Sequence, residues 1–262
     1  MLNLALDTAT RRGRFALADQ TGVLVDRPHN VGGNFADALL PIVQEVLATA
    51  GRECGDITGV GITAGPGSFT GVRIGVATAK GLAWALGCEL VAVGSLEAMA
   101  AALLAENPGA DIAVPVLDAR RRELFCGVFK RKGAWVEPVV EPAALSPDTW
   151  WELVAAALPD PGAAVYGGDG AALLLGQGDD LRPALRERGV PTLRRWSAAH
   201  PATAAALAVA MGVPDILPRV HPFTLVPDYM RVSDAEVKRG VDLTPADPTD
   251  DVSSHRSERS DP

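Results

Sequence analysis

Aromatic residues make up only 5% of this 262-residue chain, against 27 glycines and 20 prolines. That scarcity excludes a protein that holds single strands by stacking bases on rings, and points to small-residue packing and many tight turns. Cysteine is sparse too: Cys54, Cys88 and Cys126 are odd in number, with no CxxC pair and no histidine nearby in sequence. Neither a disulfide frame nor a zinc site is predicted, and reduced thiols in the cytoplasm are expected. The longest apolar run, Ala202 to Val213, is rich in alanine and well short of the roughly 20 residues of a spanning helix, so no membrane role is expected. Met1 to Leu6 lacks a basic flank and is cut by Asp7, which predicts a first strand rather than a signal peptide. Excess positive charge is also missing. With a net charge of −8, the chain is not expected to grip nucleic acid unaided, because that affinity comes mostly from phosphate neutralisation.

What is present, 48% hydrophobic residues, suffices for one large core or two small ones. Leu2 to Leu6, Arg14 to Ala18 and Val23 to Val25 read as an antiparallel meander. A helical pattern from Phe35 to Ala50 is closed by Gly51, with Pro41 predicting a kink or a late start near Leu40. Val60 to Thr63 reads as a buried strand, Gly65 to Gly71 as a turn, and Ser68 as the cap of a helix to Leu86. Leu90 to Val93 is a strand, and Ser95 caps a helix to Glu106. The series then repeats: strands Ile112 to Leu117, Leu124 to Phe129 and Trp135 to Val140, helix Asp148 to Leu158, strand Ala164 to Tyr166. A further helix, Pro201 to Met211, precedes an extended segment. Two related α/β lobes with mixed sheets are predicted, residues 1–108 and 109–231. Residues 232–262, with eight acidic and four basic side chains and no periodicity, predict an acidic, disordered tail.

Three segments carry chemistry. Asp7-Thr8-Ala9-Thr10 sits on the turn after the first strand, where the actin, sugar-kinase and Hsp70 superfamily approaches nucleotide phosphates; Ala9 replaces a helpful glycine, and Arg11 and Arg12 follow. The alternative is a turn whose donors Asp7 and Thr8 satisfy. Thr63 to Arg73 places glycines before a helix N-terminus, suited either to an anion or to a tight turn. It is no P-loop, since GxxxxGK[ST] is absent and Pro66 removes a donor. Gly167 to Gly170 is a second glycine turn, read as weak nucleotide contact or as a plain turn. The candidate degenerate phosphate site is thus Asp7, Thr8, Gly65, Gly67, Ser68 and Gly168. Gly67, Gly71, Gly75, Ala79 and Ala83 form a small-residue ridge that packs either on the chain's own sheet or on a partner's helix. Arg120 to Arg122 and Lys130 to Lys132 are basic clusters, near RNA in a complex or on solvated hairpins.

Gly65-Pro-Gly-Ser-Phe-Thr-Gly-Val-Arg-Ile-Gly75, together with Asp7-Thr-Ala-Thr10, Leu39-Leu-Pro-Ile-Val43, Leu117-Asp-Ala-Arg-Arg121, Glu123-Leu-Phe125 and Pro227-Asp-Tyr-Met-Arg231, resembles the TsaB family of tRNA threonylcarbamoyladenosine biosynthesis proteins. The resemblance spans Met1 to Arg231. It implies two actin-like lobes of the ASKHA superfamily, RNase H-like, the second smaller and divergent. It also implies a non-catalytic partner of TsaD, the related subunit that transfers threonylcarbamoyl to the adenosine beside the anticodon, with the ATPase TsaE in the same complex. Phe35 and Leu39 fall where the catalytic relatives place metal-binding histidines, and Arg11 and Arg12 where they place acids, so no metal and no catalytic residue is expected. The implied interface with TsaD is Leu39, Val43, Gly71, Val72, Arg73, Gly75 and Ala79. A homodimer on that surface is expected when TsaD is absent, and tRNA contact only through the complex. No cofactor is required on this reading; the place for an adenine nucleotide, if one binds, is the subunit junction. The rival functions are an ATP-dependent kinase using Asp7 and the Gly65 to Gly71 turn and, lowest, an M22-type metallopeptidase, for which the chain lacks HExxH.

Overall fold

The computed structural model describes residues 1–10, 12–30, 35–174, 196–197 and 203–230, and residues 1–230 form one compact unit. The expected disordered tail, Arg11, His200 and His255 lie outside the described residues, as does the side chain of Phe35.

The first sheet contains β1 (Leu2–Asp7), β2 (Arg12–Asp19), β3 (Gly22–Asn30), β4 (Gly59–Thr63) and β5 (Glu89–Val93) in the order β3-β2-β1-β4-β5. β1 to β3 are an antiparallel meander, and β4 and β5 join β1 in parallel through the helices α1 (Phe35–Thr49) and α2 (Phe69–Leu86). After α3 (Ser95–Glu106) the second sheet begins: β6 (Ile112–Arg120), β7 (Glu123–Lys132), β8 (Trp135–Leu145), then α4 (Pro147–Ala157), β9 (Val165–Gly167), α5 (Ala171–Leu174) and β10 (Trp196–Ser197). Its order, β8-β7-β6-β9-β10, repeats the first sheet strand for strand, with β9 and β10 again parallel to the starting strand. Two mixed sheets of identical connectivity are the actin-like arrangement expected.

Five layers result. Leu2, Leu4 and Leu6 of β1 and Phe15 and Leu17 of β2 face α1 and α2, while Ala5, Ala16 and Ala18 point the other way. On that second side lie α3 and α6 (Thr203–Ala210), packed on each other and sandwiched between the sheets. Both middle helices are alanine-rich and buried nearly all round, as a helix with no solvent face must be. Small side chains let two sheets and two helices approach closely, and this is where the few aromatics become unnecessary. The apolar run near Ala202 is therefore an internal helix, and no described helix is long and apolar enough to cross a membrane. The outer face of the second sheet packs on α4 and α5 around Trp150 and Tyr166.

The structure departs from the sequence reading in four places. α1 starts at Phe35 and runs through Pro41, so the late start near Leu40 does not occur. β3 and β8 extend past their predicted ends at Val25 and Val140 despite Pro28 and Pro142, because both are edge strands, where a missing N–H faces no neighbour. The cap of α3 is Gly94, not Ser95: the Ser95 N–H donates to Gly65 O (2.6 Å) and Glu97 accepts from the Gly94 N–H (3.4 Å). Finally, a division at residue 108 does not follow the packing. α3 lies on β6, β7 and β8, whereas α6 returns to β1 and β2, and the strap 217–230 crosses β5 and α2.

Burial raises the Cys126 thiol to about 12 and also raises Cys88, whereas Cys54 is exposed. Iodoacetamide at about pH 8, below those raised values but near an ordinary thiol's pKa, is expected to label Cys54 first, Cys88 slowly and Cys126 only after denaturation, as read by peptide mass spectrometry.

Candidate functional site

The turn after β1 holds the most tightly organised polar cluster. Asp7 is buried, and its Oδ1 accepts from the Ala9 N–H (3.0 Å) and the Thr63 hydroxyl (2.8 Å), while Thr203 at the start of α6 donates to Oδ2. Parallel pairing of β1 with β4 sets Leu6 opposite Ile62, which brings Thr63 beside Asp7. Thr203 arrives from 196 residues away and carries no local sequence signal.

The glycines of the second motif meet this turn directly. A side chain at Gly67 would run into Ala9, at Gly71 into the Thr8 carbonyl, and at Gly75 into the Thr8 hydroxyl and Ile62. The Ser68 N–H donates to Ala9 O (2.6 Å), and the Ser68 side chain caps α2 by accepting from the Gly71 N–H (3.3 Å). The space in front of the N-terminal turns of α2 is thus filled by the chain's own Thr8 and Ala9. A kinase needs that space for a metal-bound phosphate, so the geometry disfavours it.

Two other predicted members lie elsewhere. Gly65, at φ 122°, is roofed by the Asp228 carbonyl, and its own carbonyl accepts from Ser95. Gly168, at φ 119°, belongs to the second sheet, with Val116 and Met99 as its nearest neighbours. Asp7, Thr8, Gly67 and Ser68 come together; Gly65 and Gly168 do not join them.

The predicted interface also needs correction. Leu39, Val43, Gly71, Val72, Gly75 and Ala79 are buried inside the chain, because the small-residue ridge lies on the first sheet rather than on the surface. Only Arg73 of that set is exposed. The outward side of α2 instead carries Trp84, which is 63% exposed and packs on Phe223, 68% exposed, with ring centroids 4.8 Å apart. Val226 (71%) and Tyr229 extend this face along the strap, and Lys80 ties the strap down by donating to Leu225 O (2.8 Å). On α1, Leu40 is 53% exposed.

The basic clusters are absorbed by their hairpins. Lys130 and Lys132 both pair with Glu137, at 2.8 and 2.5 Å, and hold its carboxyl down at about 2. Arg131 donates to Leu104 O and Ala110 O. Arg120, Arg121 and Arg122 are all left-handed, and the Asp118 carboxylate steadies that turn by accepting from the Arg120 N–H (2.7 Å). A cleft of about 400 Å³ opens beside Pro66 and Phe129, with Glu97, Glu141 and Asp228 on its wall and no Lys, Arg or His lining it. Three carboxylates without a cation repel a nucleotide phosphate. Among the described residues no group of three or more His, Cys, Asp or Glu is placed to hold a metal.

Residues 16–165 match the family model described as TsaD: tRNA N6-adenosine threonylcarbamoyltransferase. The chain is 30% identical to tRNA threonylcarbamoyladenosine biosynthesis protein TsaB of Bacillus subtilis, over 91% of this chain and 97% of that one. It is 35% identical to the Escherichia coli protein of the same name over 53% of this chain and 62% of that one. The solved structure of YeaZ from Pseudomonas aeruginosa shares the fold, with a TM-score of 0.68 and 24% identity over 87% of this chain and 99% of that one.

Two substitutions test the filled turn. Gly75→Ala is expected to destabilise by about 1–3 kcal/mol through overpacking against Thr8, measured by urea unfolding. Thr203→Val, which removes a donor to a buried carboxylate, should cost about 1.5–3 kcal/mol in the same assay.

Proposed function

The chain belongs to the TsaB family, and on that premise we propose that it is a non-catalytic subunit that activates a TsaD-type threonylcarbamoyltransferase, in a complex with TsaE that forms threonylcarbamoyladenosine in tRNA. The observation that carries this reading is the filled phosphate turn. Thr8 and Ala9 occupy the approach that a phosphate would need, and Asp7 is engaged on both oxygens by Ala9, Thr63 and Thr203. A reactive centre has been replaced by packing, so what the fold retains is its shape and its surface.

The docking face is the outward side of α2 with the strap. Trp84 and Phe223, in contact, and Val226 and Tyr229 farther along the strap expose apolar and aromatic surface, and truncating large aromatic anchors weakens interfaces most. Burial of this band against TsaD would hold the catalytic lobes in an active arrangement. Self-association through the same band competes with it when TsaD is absent. Contact with tRNA is made through the complex, consistent with the net charge of −8, and an adenine nucleotide is accommodated at the subunit junction rather than in this chain. The three free cysteines support a cytoplasmic location, where thiols stay reduced.

Reconstitution from purified components, with modified adenosine quantified by mass spectrometry, tests the assignment. Formation is expected with TsaD, TsaE and this chain together, and not when this chain is omitted or when it acts alone; transfer by the isolated chain would overturn the assignment. Trp84→Glu is expected to weaken association with TsaD by about tenfold or more while leaving the thermal unfolding midpoint of the isolated chain nearly unchanged, since the ring is mostly exposed.

A further inference from the structure

Within this band one charged side chain is held in place with no ionic partner. The Arg73 guanidinium carbon lies 3.7 Å from the centroid of the Phe69 ring, and Nε donates to the Tyr229 hydroxyl at 2.7 Å. The two rings are themselves in contact, 4.8 Å apart, so the guanidinium is seated in an aromatic notch made by α2 and the strap. Among the described residues no carboxylate pairs with it. An exposed arginine is ordinarily a mobile, hydrated charge; here its orientation is set in advance while the Nη1 and Nη2 edge stays open, the edge that meets a carboxylate with two parallel hydrogen bonds.

The charges around it bear on who that partner is. α2 carries Arg73 and Lys80 and no acidic residue at all. The strap 217–230 has one acid, Asp228, which lines the cleft with Glu97 and Glu141. On α1, Glu45 is paired with Arg27 at 2.5 Å and Asp37 is already engaged. A two-fold contact between copies of this face sets each α2 against the same helix, and so brings cations to cations, while the strap's one carboxylate, Asp228, lies on the cleft beside Gly65 and not at Arg73. A different protein can supply one.

We infer that Arg73 determines the specificity of this face, receiving a carboxylate framed by apolar side chains on a different protein and disfavouring a second copy of this chain. This rests on the docking role proposed above and adds a residue and a chemistry to it. Attraction on one side and like-charge opposition on the other is how an interface separates two competitors that bury similar area.

The test compares the full chain with Arg73→Met, Arg73→Lys and Tyr229→Phe. Binding to purified TsaD is followed by calorimetry at two salt concentrations, and self-association by sedimentation. Arg73→Met keeps length and apolar contact but removes the charge; it is expected to weaken binding to TsaD by about tenfold or more, to flatten its salt dependence, and to leave self-association equal or tighter. Arg73→Lys restores the charge without the planar fork and should remain about threefold or more weaker than the parent. Tyr229→Phe keeps the ring in the band and removes only the bond that seats Nε; it is expected to weaken binding to TsaD clearly less than Arg73→Met does, which separates the fork from a mere anchor for the strap. Unchanged TsaD binding by Arg73→Met, or equal loss in both associations, overturns the inference while leaving the docking role intact. Tyr229→Phe matching Arg73→Met would likewise overturn it, by making Arg73 a strap anchor. If the parent chain itself does not bind TsaD, the docking role fails and the inference with it.

Discussion

A single buried carboxylate organises the molecule. Asp7 sits at the end of β1, the strand at the centre of the first sheet, and it accepts from its own turn, from β4 and from α6. A carboxylate out of water is tolerated only when its oxygens are met by donors; Ala9 is on the same turn, Thr63 is brought by the pairing of β4 with β1, and Thr203 comes from the far end of the chain. Thr203 thereby ties the start of α6 to the first sheet, on which its alanines also pack. Asp7 also sets the turn of Thr8 and Ala9 against the glycines of α2. Its carboxylate is an internal tie between β1, β4 and α6.

The rest of the architecture is built from what small residues permit. Alanines of β1 and β2 meet the alanine-rich α6, and Gly61 lies under Leu207 and Met211, so the middle layer is thin enough for two sheets to share it. On the other side, Gly67, Gly71 and Gly75 let α2 sit directly on the turn. Glycine within a helix costs about 1 kcal/mol relative to alanine. Here the space it leaves is occupied at each position by backbone or by Thr8, so the cost is offset by contacts a side chain would forbid. With its small-residue ridge committed inward, the opposite side of α2 is left exposed, and that side carries Arg73 and Trp84.

Much of the fold was legible in the sequence, for reasons that are local. Alternation and helical spacing mark most of the elements, Ser68 caps α2 as its hydroxyl and position require, and the repeat of strand order was visible without residue identity. The misjudged features are ones that neighbours decide. Pro28 and Pro142 look like strand breakers until β3 and β8 are known to be edges. Ser95 looks like a cap until Gly65 takes its N–H. Of the residues proposed for a phosphate site, Asp7, Thr8, Gly67 and Ser68 lie close together, whereas Gly65 and Gly168 are glycines for separate reasons, one beneath Asp228 and the other beneath Val116.

By itself, the sequence determined family membership, the order of the elements and a chemistry poor in metal ligands, because motifs and periodicities are properties of neighbouring residues. Which face of α2 is covered was decided only by tertiary structure. A small-residue ridge has the same spacing whether its own sheet or another protein fills it, and here Thr8, Ala9 and Ile62 fill it. The same holds for Asp7, whose spacing on its turn suits phosphate and protein donors alike until Thr203 arrives from the far end of the chain.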